Sequence, residues 1–187
     1  MTAHTFDPDR ADKLEDSARY QWCSLEEFLT LLRPDPHETL ADFGSGTGFY
    51  TDPVAKRVEM VHAVDIQPEM HDIYRSKGVP GNVTQVTADI ADLPFDDNEL
   101  DGAFSTMTYH EFATEEALHE ISRVIRPGGK FCVVDWEKSG AEENGPPAGE
   151  RKGLGEAITE LTENGFIIDN AATRTETFVL SGRLTPL

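Results

Sequence analysis

The chain has 187 residues, of which 35 are aspartate or glutamate and 16 lysine or arginine, for a formal net charge of −19. That length suits one compact domain with a real core, and the negative charge repels phosphate backbones, so no nucleic acid partner is expected, though high salt screens that repulsion. No apolar stretch reaches the ~18 residues that span a bilayer, and the polar start MTAHTFDPDR does not read as a signal peptide, so a soluble, cytoplasmic protein without a membrane span is expected.

Ser24-Leu25-Glu26-Glu27 has the spacing of a capping box and predicts a helix through Leu32, stopped by Pro34 and Pro36. A first strand is predicted over Leu40 to Phe43, followed by a glycine turn and a short helix from Thr51 to Arg57, with Pro53 tolerable only in its first turn. A second strand covers Val61 to Val64, a helix Pro68 to Lys77 ended by Gly78, a third strand Val83 to Thr87 and a fourth Gly102 to Thr106. Leu118, Ile121, Val124 and Ile125 share one face of a helix from Thr114 to Ile125. Pro127-Gly128-Gly129 then turns the chain into a strand from Phe131 to Asp135, and Ser139 to Gly153, rich in proline and glycine, reads as a mobile loop. A helix from Leu154 to Asn164 and two strands, Phe166 to Ala171 and Thr177 to Gly182, follow. Alternating strands and helices imply an α/β fold, a mostly parallel sheet with helices on both faces, and the last two strands an antiparallel C-terminal hairpin.

The acidic residues recur through nearly every segment, among them Asp7, Asp12, Glu26, Asp96, Glu115 and Glu143, and only six lysines oppose them. Such an even spread reads as the surface of an acidic, halophilic protein from a salt-accumulating cell; an ordinary acidic cytosolic protein is the alternative. Cys23 and Cys132 lie far apart without a C-x-x-C spacing and read as core thiols. No histidine has partner spacing that suggests a metal, so none is expected.

The segment Asp42-Phe43-Gly44-Ser45-Gly46-Thr47-Gly48-Phe49 is the chain's most informative feature. Alternate glycines after a strand let the backbone touch a ligand, with a helix N-terminus aimed at the same spot. A dinucleotide fingerprint needs a small residue at 49, and Phe49 keeps a pyrophosphate off the helix, which disfavours a nicotinamide oxidoreductase. Taken with Asp65 at the end of the second strand, Asp89-Ile90 after the third, and Ile125-Arg126-Pro127-Gly128-Gly129-Lys130 before the fifth, this turn resembles the class I S-adenosylmethionine-dependent methyltransferases. The resemblance covers Leu40 to Glu137 and is strongest to the small-molecule branch that includes quinone-biosynthesis C-methyltransferases. It implies a Rossmann-like seven-stranded sheet over 40–187, with residues 1–39 as an N-terminal helical lid. S-adenosylmethionine is the implied cofactor and S-adenosylhomocysteine the product.

In that family the glycine turn, here Gly44, Ser45, Gly46, Thr47 and Gly48, faces the methionine part of the cofactor. Asp65, with Ile66 beside it, is placed on the ribose hydroxyls; the other reading is a helix cap ahead of Pro68. Asp89 falls on the adenine amino group and Ile90 on the ring edge, against a plain solvated loop aspartate. Asp42 braces the turn, with contact to the methyl as the alternative, and in the family it often reaches the cofactor's ammonium through water; Ser105 presents a carbonyl to that ammonium. His110, just beyond the fourth strand, is the candidate base if the acceptor must lose a proton, or else caps the next helix. Tyr109, Asp135 and Trp136 are candidate acceptor contacts, Tyr109 having core filling as its alternative. Arg19, Tyr20 and Trp22 either close over the site or pack on the sheet edge.

The Asn/Asp-Pro-Pro-aromatic motif of amino-methylating nucleic-acid and glutamine enzymes is missing, Ser105-Thr106-Met107-Thr108 standing in its place, and no Pro-Cys pair exists for cytosine chemistry. O-, C- or N-methylation of a small molecule is the expectation, with a protein methyltransferase or a non-catalytic cofactor-binding module as alternatives. Monomer and homodimer both stay open.

Overall fold

In a computed structural model, which describes residues 8–185, the strands are β1 (Thr39–Phe43), β2 (Met60–Asp65), β3 (Val83–Thr87), β4 (Leu100–Thr106), β5 (Ile125–Trp136), β6 (Phe166–Thr173) and β7 (Thr177–Leu184). They form one sheet in the order β3-β2-β1-β4-β5-β7-β6. β1 to β5 run parallel, while β7 lies antiparallel to both β5 and β6. The strand order reverses between β1 and β4, where open α/β sheets leave a crevice at the strands' carboxyl ends.

The helices are α1 (Leu25–Leu32), α2 (Thr51–Ala55), α3 (Pro68–Lys77), α4 (Tyr109–Phe112), α5 (Glu115–Val124) and α6 (Leu154–Glu163). Side chains alternate along each strand, so the two faces feed separate cores. Ala41, Phe43, Ala103, Phe131 and Val133 pack against α5 and α6 through Leu118, Ile121, Ala157 and Leu161. Leu40, Phe104, Cys132 and Val134 pack on the opposite face against Phe28 and Leu32 of α1 and Val54 of α2. Both cysteines are buried free thiols whose pKa burial pushes up to about 12. No helix of the described residues is long and apolar enough to cross a membrane.

Four local expectations change. The capping box at α1 is half formed: Ser24 Oγ accepts the Glu27 N–H at 3.2 Å, but the Glu27 carboxylate pairs with Arg174 at 3.1 Å. Pro127-Gly128-Gly129 lies inside β5 as an irregularity, the register with β4 jumping from Leu100↔Ile125 to Gly102↔Lys130. The 139–153 loop is anchored. Fully buried Arg151 donates to the Glu137 carbonyl at 3.2 Å, the Pro146 carbonyl at 2.7 Å and the Asn144 carbonyl, and pairs with Glu176 at 3.5 Å. Finally, the stretch 1–39 expected as a lid includes α1, which packs into the core; two 3-10 turns, Pro8–Glu15 and Ser17–Gln21, precede it.

Candidate active site

A cavity of about 550 Å³ opens where β1, β2, β3 and β4 end, lined by the glycine turn, Asp65 to Gln67, Ala88 to Ala91, Thr106 to Thr108, His110 to Phe112 and Trp136. Lys13, Leu14, Arg19 and Trp22 close it from the N-terminal segment, and Asn144 to Pro146 from the anchored loop.

Gly44, Gly46 and Gly48 all have positive φ, at 76°, 52° and 84°, a conformation that costs glycine nothing and other residues strain. A Cβ on Gly44 would lie 2.4 Å from Thr108 Oγ1, and one on Gly48 2.2 Å from the Tyr74 ring, whereas Gly46 has, among the described residues, only Leu14 near, at 3.5 Å. The turn is thus wedged between Thr108 and Tyr74, with Gly46 at the open side. Asp65 ties it down: its carboxylate accepts the Gly46 N–H at 2.8 Å and the Gln67 N–H at 2.9 Å. Burial raises the Asp65 pKa, and these two amides pull it part of the way back.

Asp42 sits behind the turn, outside the cavity lining. One carboxylate oxygen accepts from Thr51 Oγ1 at 2.6 Å, and the other is buried without a hydrogen-bond partner among the described residues. Burial pushes its pKa up to about 7, against the Thr51 hydrogen bond. Ser45 Oγ, on the cavity lining, is also buried and unpartnered. These orphaned polar atoms beside an open, positive-φ turn fit an amino-acid-like group, and Asp65, next to the turn at the end of β2, fits a polyol. Asp89 lines the cavity with an exposed side chain, bent back to the Ala91 N–H at 2.9 Å, and Ile90 beside it is buried. Ile66 is exposed on the lining.

At the other end, His110 Nδ1 lies 2.9 Å from both oxygens of the fully buried Asp135, which also accepts the His110 N–H at 2.6 Å and the Trp136 N–H at 2.8 Å. A carboxylate so placed holds the proton on Nδ1 and leaves Nε2 as the acceptor. Burial lowers the imidazole pKa, but Asp135, by charge and hydrogen bond, outweighs it, and the net shift is upward. Glu111 stands 3.9 Å from Nε2, its pKa raised to about 7 by burial, with His110 opposing and Asp135 and Asp65 reinforcing.

Three expected contacts lie elsewhere. Tyr109 is in the core with its hydroxyl donating to Glu160 at 2.7 Å, so it does not reach the cavity. Ser105 is fully buried against Thr108 at 3.0 Å, and Thr106 to Thr108 line the cavity instead. Asp135 touches His110 rather than the cavity. Glu111 has no sequence signal for its role, being a carboxylate beside a histidine on a four-residue helix.

A family model described as a methyltransferase domain matches residues 41–133. An uncharacterised methyltransferase-like protein of Schizosaccharomyces pombe is 34% identical over 136 residues, 70% of this chain and 50% of that protein. A ubiquinone/menaquinone biosynthesis C-methyltransferase of Idiomarina loihiensis is 36% identical over 108 residues, 52% of this chain and 42% of that protein. The chain thus spans about half the length of these curated relatives. A solved SAM-dependent methyltransferase from Aquifex aeolicus is 27% identical with a TM-score of 0.87, covering 97% of this chain and all of that one. The chain belongs to the class I S-adenosylmethionine-dependent methyltransferases.

Proposed function

We propose that this chain is an enzyme that transfers the methyl group of S-adenosylmethionine to a small-molecule acceptor and releases S-adenosylhomocysteine. The observation that carries it is one cavity holding both a pinned glycine turn facing Asp65 and a histidine aimed by a buried carboxylate. A bare binding module has no use for the second half.

On this reading Gly44 to Gly48 and Ser45 hold the methionine part, Asp42 the ammonium from behind, Asp65 the ribose, and Asp89, Ile90 and Ile66 the adenine. The bound sulfonium supplies an electrophilic methyl, displaced in line. The protein's share is alignment and exclusion of water. The 3-10 turns that bring Lys13, Leu14, Arg19 and Trp22 to the cavity form a short lid. His110 Nε2 takes a proton from an acceptor that must lose one, and Asp135 is its positioning residue. We also place the protein in the cytoplasm of a salt-accumulating cell, with no nucleic acid partner.

Titration calorimetry with S-adenosylhomocysteine and with NAD tests the cofactor half, and labelled S-adenosylmethionine incubated with a metabolite extract tests transfer. Binding of NAD instead of S-adenosylhomocysteine would overturn the assignment. Binding without any labelled product would return the chain to a binding module.

A further inference from the structure

The end of the cavity beyond the glycine turn is formed by Trp22, Met107, His110, Glu111, Phe112 and Trp136. Resting on the methyltransferase reading above, we propose that this end selects a positively charged acceptor, a small aryl- or alkylamine, and that the enzyme is an N-methyltransferase.

Two observations carry this. The first is charge. Glu111 points into the cavity with His110 Nε2, at 3.9 Å, as its ion partner, and His110 is already committed to Asp135 at 2.9 Å. Among the described residues the cations that line the cavity, Lys13 and Arg19, come from the N-terminal segment; Arg19 lies over the Phe49 ring at 4.8 Å, beside the glycine turn, and donates to the Leu14 carbonyl at 2.7 Å. Arg151 stands against Trp136, paired with Glu176 and carbonyls. Two carboxylates therefore face one imidazole, and with both of them ionised this end is net negative whichever form His110 takes. A carboxylate acceptor would be repelled, a neutral alcohol would leave Glu111 as it is, and an ammonium would complete the pair. The raised pKa of Glu111 is what a desolvated carboxyl short of a cation displays. The second observation is aromatic. Trp22 and Trp136 meet with ring centroids 5.3 Å apart at 60°, an angled pair of π faces of the kind that attracts organic cations.

The chemistry balances. An ammonium held by Glu111 gives one proton to His110 Nε2, which frees the nitrogen lone pair. That pair forms the new N–C bond while the C–S bonding electrons stay on sulfur, neutralising the sulfonium. The product leaves as an N-methylammonium, and His110 passes its proton to solvent.

The chain's two tryptophans both line this end, so intrinsic fluorescence reports on it directly. Protein saturated with S-adenosylhomocysteine would be titrated with phenethylamine, 2-phenylethanol and 3-phenylpropionate, one skeleton in three charge states. Phenethylamine is expected to bind at least about ten-fold more tightly than either of the others, a preference of the size that charge pairing and cation–π contact supply together. In Glu111→Gln that advantage should shrink to about three-fold or less, with S-adenosylhomocysteine affinity by calorimetry unchanged. Equal binding of the three, no binding of any, or a preference for phenylpropionate, on protein that takes up S-adenosylhomocysteine normally, overturns the amine assignment alone. Protein that takes up no S-adenosylhomocysteine overturns the cofactor reading and this inference with it.

Discussion

Replacing Asp42 by asparagine should make the empty protein more stable at neutral pH and a poorer binder of its cofactor. Asp42 is 1% exposed, with one oxygen on Thr51 Oγ1 and the other unpartnered. Its folded pKa stands near 7 against an ordinary 3.8, about three units higher, and each unit is worth 1.36 kcal/mol. A group raised in this way contributes its full stability below the unfolded pKa and gives it up as pH climbs through the folded value. Near pH 4 both proteins carry a neutral side chain there. By pH 8 the wild type bears a buried, half-paired charge, and the asparagine variant should have gained roughly 4 kcal/mol relative to it, as an upper figure. Urea unfolding of both proteins at unit steps from pH 4 to 8, in molar potassium chloride, isolates this difference from the titration of the other carboxylates. A gap between the two proteins that stays constant over that range would refute the reasoning. Calorimetry should move the other way, since an ammonium seated at the glycine turn offsets the Asp42 charge and the neutral variant forgoes that attraction.

Asp135→Asn should lower the His110 pKa, followed by NMR of the imidazole, because the charge that outweighs burial is gone; once an acceptor is in hand, turnover should fall by the ~100- to 10,000-fold typical of a lost general base, and an unmoved pKa would remove Asp135 from that role. Gly48→Ala, whose Cβ would enter the Tyr74 ring at 2.2 Å with φ at 84°, should cost roughly 2 to 4 kcal/mol in urea unfolding. Gly46→Ala, with Leu14 its one neighbour at 3.5 Å, should cost only about 1 kcal/mol. With a net charge of −19, the melting temperature should rise from dilute buffer to molar potassium chloride, where the Debye length is about 3 Å, and a flat profile would contradict the halophile reading.

The parts legible in the sequence are those whose cause is local. Apolar runs gave away β1 to β5, the period of Leu118, Ile121 and Val124 gave away α5, and the alternate glycines marked the turn before any contact was known. What stayed hidden depends on partners far along the chain. Arg151 looks like one more polar residue in a Pro- and Gly-rich stretch until Glu176 is brought beside it. Tyr109 and His110 are neighbours on α4, and a helix of four residues is too short for a period to say which one turns to the core. The start of β5 was missed because Pro127-Gly128-Gly129 has turn chemistry whether or not a neighbouring strand absorbs it as a bulge.

Trp22 lines the cavity, and its carbonyl accepts from Thr177 Oγ1 at 3.2 Å and from Arg174, across 155 and 152 positions of chain. In synthesis, the segment carrying Trp22 leaves the ribosome before its clamp, which is translated more than a hundred residues later. The glycine turn and β1 to β4 have partners among themselves and can assemble early, but the Trp22 wall of the cavity must wait for the β6–β7 hairpin. A nascent chain halted before Arg174 would thus offer the cavity with its Trp22 side unclamped, so that wall is completed late.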